Sequence, residues 1–429
     1  MAPAPQGRHT HFFFVPHAAD MYSPASVGLF RVLLDSAIPR PSYFLWHAPD
    51  NESITMKICM VVFTDLPFDY RVFREADSLR SSGHEVTVLS TRFRDEPLPS
   101  AWDQLDVQML DIDRAGSLRR SYPAFWRWAS NRAREVSADI YHAHDLDALW
   151  PAARAARHHD VPLVYDSHEL FCEQSSLVQR PAIAFVWRQM ERRLIHRAAH
   201  VITVGTAIAQ QLHQSYELSE APTVLRNVPL YKKPVANHDL RRLANIPESC
   251  PLILYQGGFL TDNGLVEQIE AMHFVDESAH LVLLGGGPTE QMLKDETHRL
   301  GLQDRVHFVH RVPFQSLHEV TCGADIGLCV IKPTGRSFAW SMPNKLFEYM
   351  MAGLPVVGGD TPEIRRVLEE TDAGIIVDPT EPRSVGAAID NLLQDPDRCD
   401  ELAAAARFAA RRNCWEVESQ GLIELYTRL

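Results

Sequence analysis

Residues 57–90 read KICMVVFTDLPFDYRVFREADSLRSSGHEVTVLS, and their pattern decides the fold class. KICMVVFT (57–64) is a continuous apolar run, as expected of a strand covered on both faces. DYRVFREADSLRSSG (69–83) carries apolar residues at helical spacing and stops at Gly83, a residue suited to a helix C-terminus. HEVTVLS (84–90) is apolar again. Strand, helix and strand make a βαβ unit with a parallel sheet. The alternation continues through DVQML (106–110), a helix near 120–136, DIYHAH (139–144), a helix, PLVYDSH (162–168), a long helix ending near Ala199 and HVITVG (200–205). A short strand, TVLRNV (223–228), then meets the turn-rich PLYKKPVANHDL (229–240), which reads as a linker. The alternation restarts at PLILYQGG (251–258) and runs through HLVLLGGG (280–287), RVHFVH (305–310), ADIGLCVI (324–331), LPVVGGD (354–360) and AGIIVD (373–378).

The expected class is α/β: two doubly wound, Rossmann-like domains facing each other across a cleft. The expected divisions are an irregular N-terminal extension (1–55), a first domain (56–228), a linker (229–247), a second domain (248–410) and a final helix (411–429) packing back toward the first domain. A chain of 429 residues is too long for one typical core. Its 45% hydrophobic and 23% charged residues are ordinary for a globular protein. The net charge of −13 offers no general attraction to nucleic acid. Cysteines are scattered without a C-x-x-C pair, which reads as reduced thiols in a cytoplasmic protein. No apolar run reaches the roughly 18 residues of a membrane span. The Pro-rich start holds His9, His11 and His17 without carboxylates or cysteines at ligand spacing, so no metal is expected there. Met56 is a candidate second start site.

In such folds ligands lie beyond the carboxyl ends of the strands. GGGP (285–288) follows a strand and precedes a helix, where glycines let backbone amides approach a phosphate or ribose; a tight turn without ligand is the plain alternative. SMPNKLFEYMMAGLPVV (341–357) is a helix opened by Pro343 that leads straight into a core strand. Its one carboxylate, Glu348, stands between Phe347 and Tyr349. Lys345 and Glu348 share a helix face, so a surface ion pair is the alternative to a ligand site.

PNKLFEYMMAGLPVV (343–357) resembles the signature of the retaining GT-B glycosyltransferases of family 4 type, the "glycosyl transferases group 1". VLLGGGP, VPFQSLHEVTCGADIGLCV and NCWEVESQGLIELY resemble that family's C-terminal half in the right order, and the likeness covers roughly residues 56–429. By that resemblance Glu348 binds the donor ribose hydroxyls, and the donor site further includes Gly257, Gly258, Gly285, Gly286, Gly287, Arg311, Arg336, Asn344 and Lys345. FTDLPFDYRVFREADSLRSSGHEVTVLS resembles the family's opening strand, loop and helix, with Asp69 and Arg71 facing the cleft. DIYHAHD and VYDSHEL resemble its two histidine-bearing strand ends, which puts His168 nearest the reacting centre and His144 with Asp145 on the acceptor side. The resemblance implies transfer from a nucleotide-diphospho-sugar, a UDP- or GDP-sugar, to an acceptor hydroxyl with retention, using no metal or other cofactor.

The chain departs from that pattern in two places. Trp340 stands where relatives usually carry a second Glu. Gly258 and Asn263 stand where a diphosphate-binding Arg and Lys are usual, and Arg336, Lys345 or Arg71 would have to compensate. DLD (145–147) matches the D-x-D metal motif of another glycosyltransferase fold, but the two-domain order contradicts that fold. The segment 113–134, with six arginines beside Tyr122, Phe125, Trp126 and Trp128, suits a peripheral membrane contact and a lipid-linked acceptor; an amphipathic helix with its aromatics in the core is the alternative. A non-catalytic partner of a true transferase and a sugar-nucleotide epimerase are the rival functions.

Overall fold

Buried strands and covering helices alternate along the chain, and two parallel sheets result. The computed structural model describes residues 55–93, 97–112, 118–237 and 239–429. Residues 1–54, with His9, His11 and His17, and residues 113–117 of the basic and aromatic segment lie outside the described residues. The first sheet has strand order β3-β2-β1-β4-β5-β6-β7: β1 (Lys57–Asp65), β2 (Glu85–Arg92), β3 (Asp106–Asp111), β4 (Ile140–His144), β5 (Leu163–Ser167), β6 (His200–Thr203) and β7 (Thr223–Val224). The second has order β10-β9-β8-β11-β12-β13: β8 (Leu252–Gly258), β9 (His280–Gly286), β10 (Val306–His310), β11 (Ile326–Cys329), β12 (Val356–Gly359) and β13 (Gly374–Val377).

Each sheet reverses its winding once, between β1 and β4 and between β8 and β11. A crevice opens beyond the carboxyl ends of the strands at such a reversal. Central β1 is buried on both faces from Ile58 to Val62, which explains why its sequence is continuously apolar rather than alternating.

One buried cluster runs from Ile58 and Val72 through Leu225 and Val228 to Leu254, Phe347, Trp415 and Tyr426. The two sheets therefore belong to one compact unit spanning Ser53–Leu429. The last helix, Trp415–Thr427, crosses back to the first sheet: the indole N–H of Trp415 donates to Ser78 Oγ at 2.9 Å, and Tyr426 Oη lies 2.8 Å from His142 Nδ1.

The helix Leu118–Val136 buries Phe125 completely and packs Tyr122, Trp126 and Trp128 against the first sheet's core. Phe125 thus belongs to the core, and the other three aromatics are half-buried against it. No helix of the described residues is long and apolar enough to cross a bilayer.

β8 and β9 end in glycine because their backbones converge: a Cβ built on Gly285 would overlap the carbonyl of Gly257, and Gly285 itself sits at φ +155°. Gly285→Ala is expected to lower stability by about 2–4 kcal/mol through overlap and backbone strain. Urea unfolding checks this; a midpoint equal to that of the wild type contradicts the close approach.

Candidate active site

The helix Asn344–Ala352 starts after Pro343, whose ring fixes φ, and ends at Gly353 in the left-handed region at φ +75°. It buries Leu346, Phe347, Tyr349 and Met350 and turns the face bearing Lys345 and Glu348 toward the ends of β8 and β11. The two charges do not pair. The Lys345 ammonium stands 4.1 Å over the Tyr255 ring, and the Glu348 carboxylate accepts from Gln256 Nε2 at 2.5 Å. Gln256 is itself fixed, accepting from Thr321 Oγ1 at 2.7 Å and donating its backbone N–H to Tyr349 Oη at 2.9 Å. Burial pushes the Glu348 carboxyl upward, opposed by Gln256, Arg74 and Lys345. The surface ion-pair alternative is thereby removed.

The other glycines and cations of the expected donor set are more dispersed. Gly257, at φ +136°, leaves room for Lys345: a Cβ there would sit 3.2 Å from Nζ. Gly287 makes room for the backbone of Phe259, so its small size serves packing of the turn. Gly258 and Gly286 are less crowded, with nearest neighbours at 3.6 and 3.7 Å. Arg311 is exposed and donates to the Gly286 carbonyl at 3.3 Å. Asn344 opens the helix on its exposed side. Arg336 faces Trp340, 5.9 Å from the ring centroid, and lines a cavity with first-sheet residues rather than the one holding Lys345.

On the first-sheet side, strand alternation places Asp166 and His168 together at the end of β5. His168 is held from both ring nitrogens: Nδ1 is 3.3 Å from Asp145 Oδ2, and Nε2 is 3.1 Å from Asp166 Oδ2. Its backbone N–H also donates to Asp145 Oδ1 at 2.9 Å. Burial disfavours the imidazolium, but the carboxylates of Asp145 and Asp166 outweigh it and push the His168 pKa up to about 10. Asp145, at φ +60°, is pushed up to about 7 by burial, against the pull of His168. Burial also pushes Asp166 upward, but Arg71 and His168 prevail and hold it well below the usual carboxylate range.

Two expected cleft residues, Arg71 and His144, are buried in the fold. Arg71 is 3% exposed and binds Asp166 through two nitrogens at 2.8 Å, Glu75 at 3.0 Å and the Leu225 carbonyl at 2.8 Å. Arg71 still lines the cavity that holds His168 and Lys345, but most of its guanidinium is engaged by Asp166, Glu75 and the Leu225 carbonyl. His144 is wholly buried behind His168, its Nδ1 3.2 Å from His168 Nε2 and 3.3 Å from Asp166. It lies in strand β4 below the cavity floor, which corrects its expected place on the acceptor side. Burial pushes the pKa values of both His144 and His142 down, His142 the further. Asp69 does reach the cavity, while its carboxylate caps the Tyr70–Ser81 helix by accepting from Val72 at 3.2 Å.

Glu75, His142, His144 and Asp166 converge with ligating atoms within 4.8 Å of one another. The Arg71 guanidinium already contacts both carboxylates of that group, so its charge is met within the fold. Nothing in the sequence alone singled out Glu75, Gln256 or Tyr426. Asp166 could have been found by its two-residue offset from His168 on a strand.

A cavity of about 300 Å³ joins the halves, lined by Asp69, His168, Asn263, Ser337, Asn344 and Lys345. Glu348 opens one helical turn away on a second, largely apolar cavity of about 260 Å³ with Tyr70, Arg74 and Phe314. The cleft is drawn together: Ser337 Oγ donates to Glu169 at 2.9 Å, and Ala207 N–H donates to Glu363 at 2.8 Å. Tyr70 stacks on Phe314.

Comparison with known proteins gives a consistent picture. Residues 70–227 match the family described as Glycosyltransferase Family 4, and residues 237–408 match Glycosyl transferases group 1. The chain is 26% identical to the D-inositol 3-phosphate glycosyltransferase of Xylanimonas cellulosilytica, over 68% of this chain and 72% of that protein. The fold is similar to that of sucrose-phosphate synthase from Thermosynechococcus elongatus, with a TM-score of 0.73 at 18% identity, covering 87% of this chain and 98% of the other. It is also similar to Anabaena HepE, solved with UDP and glucose, with a TM-score of 0.70 at 19% identity, covering 87% and 100%.

Proposed function

The chain belongs to the GT-B glycosyltransferases of family 4 and group 1 and is a sugar-transferring enzyme, and from that premise we propose how its own residues take a donor. The nucleotide-diphospho-sugar lies along the face of the Asn344–Ala352 helix. Glu348 accepts from the ribose hydroxyls, Lys345 meets the diphosphate, and the sugar points toward His168. The placement of Lys345 carries this reading: its ammonium lies one turn from Glu348 and shares a cavity with His168. UDP and GDP are the expected nucleotides, and transfer proceeds to an acceptor hydroxyl with retention.

Breaking the anomeric bond leaves negative charge on the diphosphate. Lys345 and the N-terminal end of its helix would stabilise that charge in a site that excludes water. This replaces the Arg and Lys that Gly258 and Asn263 lack. His168 keeps its proton between two carboxylates, so its role is that of a fixed positive charge beside the sugar and the incoming hydroxyl, not of a base.

The nucleotide assignment is tested by thermal shift with UDP, GDP, ADP and dTDP. Stabilisation by one of them is expected; none from any of the four would sink the donor site. The protonation of His168 gives a second expectation. Asp145→Asn removes the carboxylate at Nδ1, so the His168 pKa should fall toward the ordinary value of about 6.5. Transfer that persists into mildly alkaline solution in the wild type should then decline above about pH 7. Identical pH profiles of kcat/KM for the two proteins would show that the imidazolium is not required.

A further inference from the structure

A separate cavity of about 360 Å³ lies beside the one just described. Its walls are the Phe171–Glu173 turn, the helices Pro181–Leu194 and Thr206–Tyr216, and Arg336 from the second half. The two cavities are adjacent. Glu169 and Ser337 line the first, their chain neighbours Leu170 and Arg336 line the second, and the Ser337–Glu169 hydrogen bond stands between them.

Three guanidinium groups meet here: Arg188, Arg192 and Arg336. Arg188 is paired with Glu173 at 3.0 Å. The other carboxylate in the wall, Glu191, is 3% exposed and already accepts from the hydroxyls of Tyr165 at 2.9 Å and Tyr216 at 2.6 Å. Burial moreover pushes its carboxyl upward, toward the neutral form. Among the described residues Arg192 makes no ion pair, and Arg336 has only the Trp340 ring beneath it. Two unneutralised guanidiniums from opposite halves of a chain of net charge −13 therefore converge on one hollow. Planar guanidinium donors match the oxygens of a phosphate group.

We propose that this cavity binds a phosphate group carried by the acceptor, so that the enzyme's substrate is a phosphorylated hydroxyl compound. The proposal rests on the transferase reading above and adds the acceptor class to it. With its phosphate anchored by Arg192 and Arg336, the acceptor extends across the Glu169–Ser337 contact and presents a hydroxyl to the sugar beside His168. Arg336 thus serves the acceptor rather than the donor diphosphate, which explains why it lies apart from Lys345. Because it comes from the second half, phosphate binding also favours the drawn-together cleft. The phosphate could belong to a soluble ester or to a lipid headgroup, which offer the same chemistry to the arginines.

The full chain is titrated by calorimetry with glycerol 3-phosphate. In parallel it is tested by flotation with vesicles of phosphatidylcholine, alone or mixed with phosphatidylglycerol. Binding to the soluble ester or to the mixed vesicles is expected, and which one binds identifies the source. Arg192→Ala and Arg336→Ala should each weaken that binding about tenfold or more. Arg193→Ala, exposed and outside the cavity, should leave it unchanged. Each variant is also melted with the nucleoside diphosphate that stabilises the wild type; an intact shift shows that the donor site and fold survive. Binding of neither probe, equal binding by all variants, or loss of the nucleotide shift in Arg336→Ala would overturn the proposal. If the wild type binds phosphate but no nucleotide, the donor reading fails while the phosphate site stands.

Discussion

Glu348→Ala is expected to abolish nucleotide-induced thermal stabilisation and to lower kcat/KM by about 10²–10⁴-fold. A carboxylate accepting from two vicinal hydroxyls makes two charge-assisted hydrogen bonds, each worth about 1.5–3 kcal/mol. The side chain is pre-oriented by Gln256, which is itself held by Thr321 and Tyr349, so little is lost in ordering it when ligand arrives. The unliganded protein should not suffer, because removing Glu348 leaves Gln256 bonded through its other groups and relieves a carboxylate that burial disfavours. Glu348→Gln keeps the shape and should recover only part of the affinity. A Glu348→Ala protein that still shifts with nucleotide, at unchanged kcat/KM, would remove Glu348 from the donor site.

Asp166→Ala is expected to be the most damaging single change to stability, by about 3–5 kcal/mol in chemical denaturation. Asp166 is fully buried and neutralises Arg71, also buried, while holding His168 and lying against His144. Removing one partner of a buried pair strands the other charge, whereas replacing both groups together is far milder. The double replacement Arg71→Met with Asp166→Leu should therefore lose less than Asp166→Ala alone. If the double variant loses the sum of the two single losses, the pair is not coupled as described.

The same network sets the dependence of stability on pH. Asp166 has its pKa depressed by Arg71 and His168, so its contribution is present above the unfolded value of about 3.9 and is lost as pH falls below it. His168 has its pKa raised to about 10 by Asp145 and Asp166. Its contribution is complete below the unfolded value of about 6.5 and is lost as pH rises toward the folded one.

Much of this molecule is legible from local pattern. The uninterrupted apolar runs of β1 and β8, the glycine at position 83 and the proline at position 343 mark strands buried on both faces and the limits of helices. His168 stands out as a polar residue just past a strand end, and Glu348 as the one carboxylate inside a largely apolar helix. The helix Leu118–Val136 shows where local pattern fails: basic and aromatic residues on one helix suit a membrane surface or a protein core equally well. Only the tertiary structure shows that Phe125 and its neighbours pack against the first sheet.

By itself the sequence determined the strand and helix order, the parallel winding and the family signature, because hydrophobic period and turn chemistry act over short stretches of chain. Tertiary structure alone decided which charges meet. Arg71 and Asp166 lie 95 residues apart in sequence and Tyr426 and His142 lie 284 apart, and no local rule links them. Burial then shifted their ionisation, because the surroundings that push the pKa of His168 up and that of His144 down exist only once the strands have brought those groups together and excluded water.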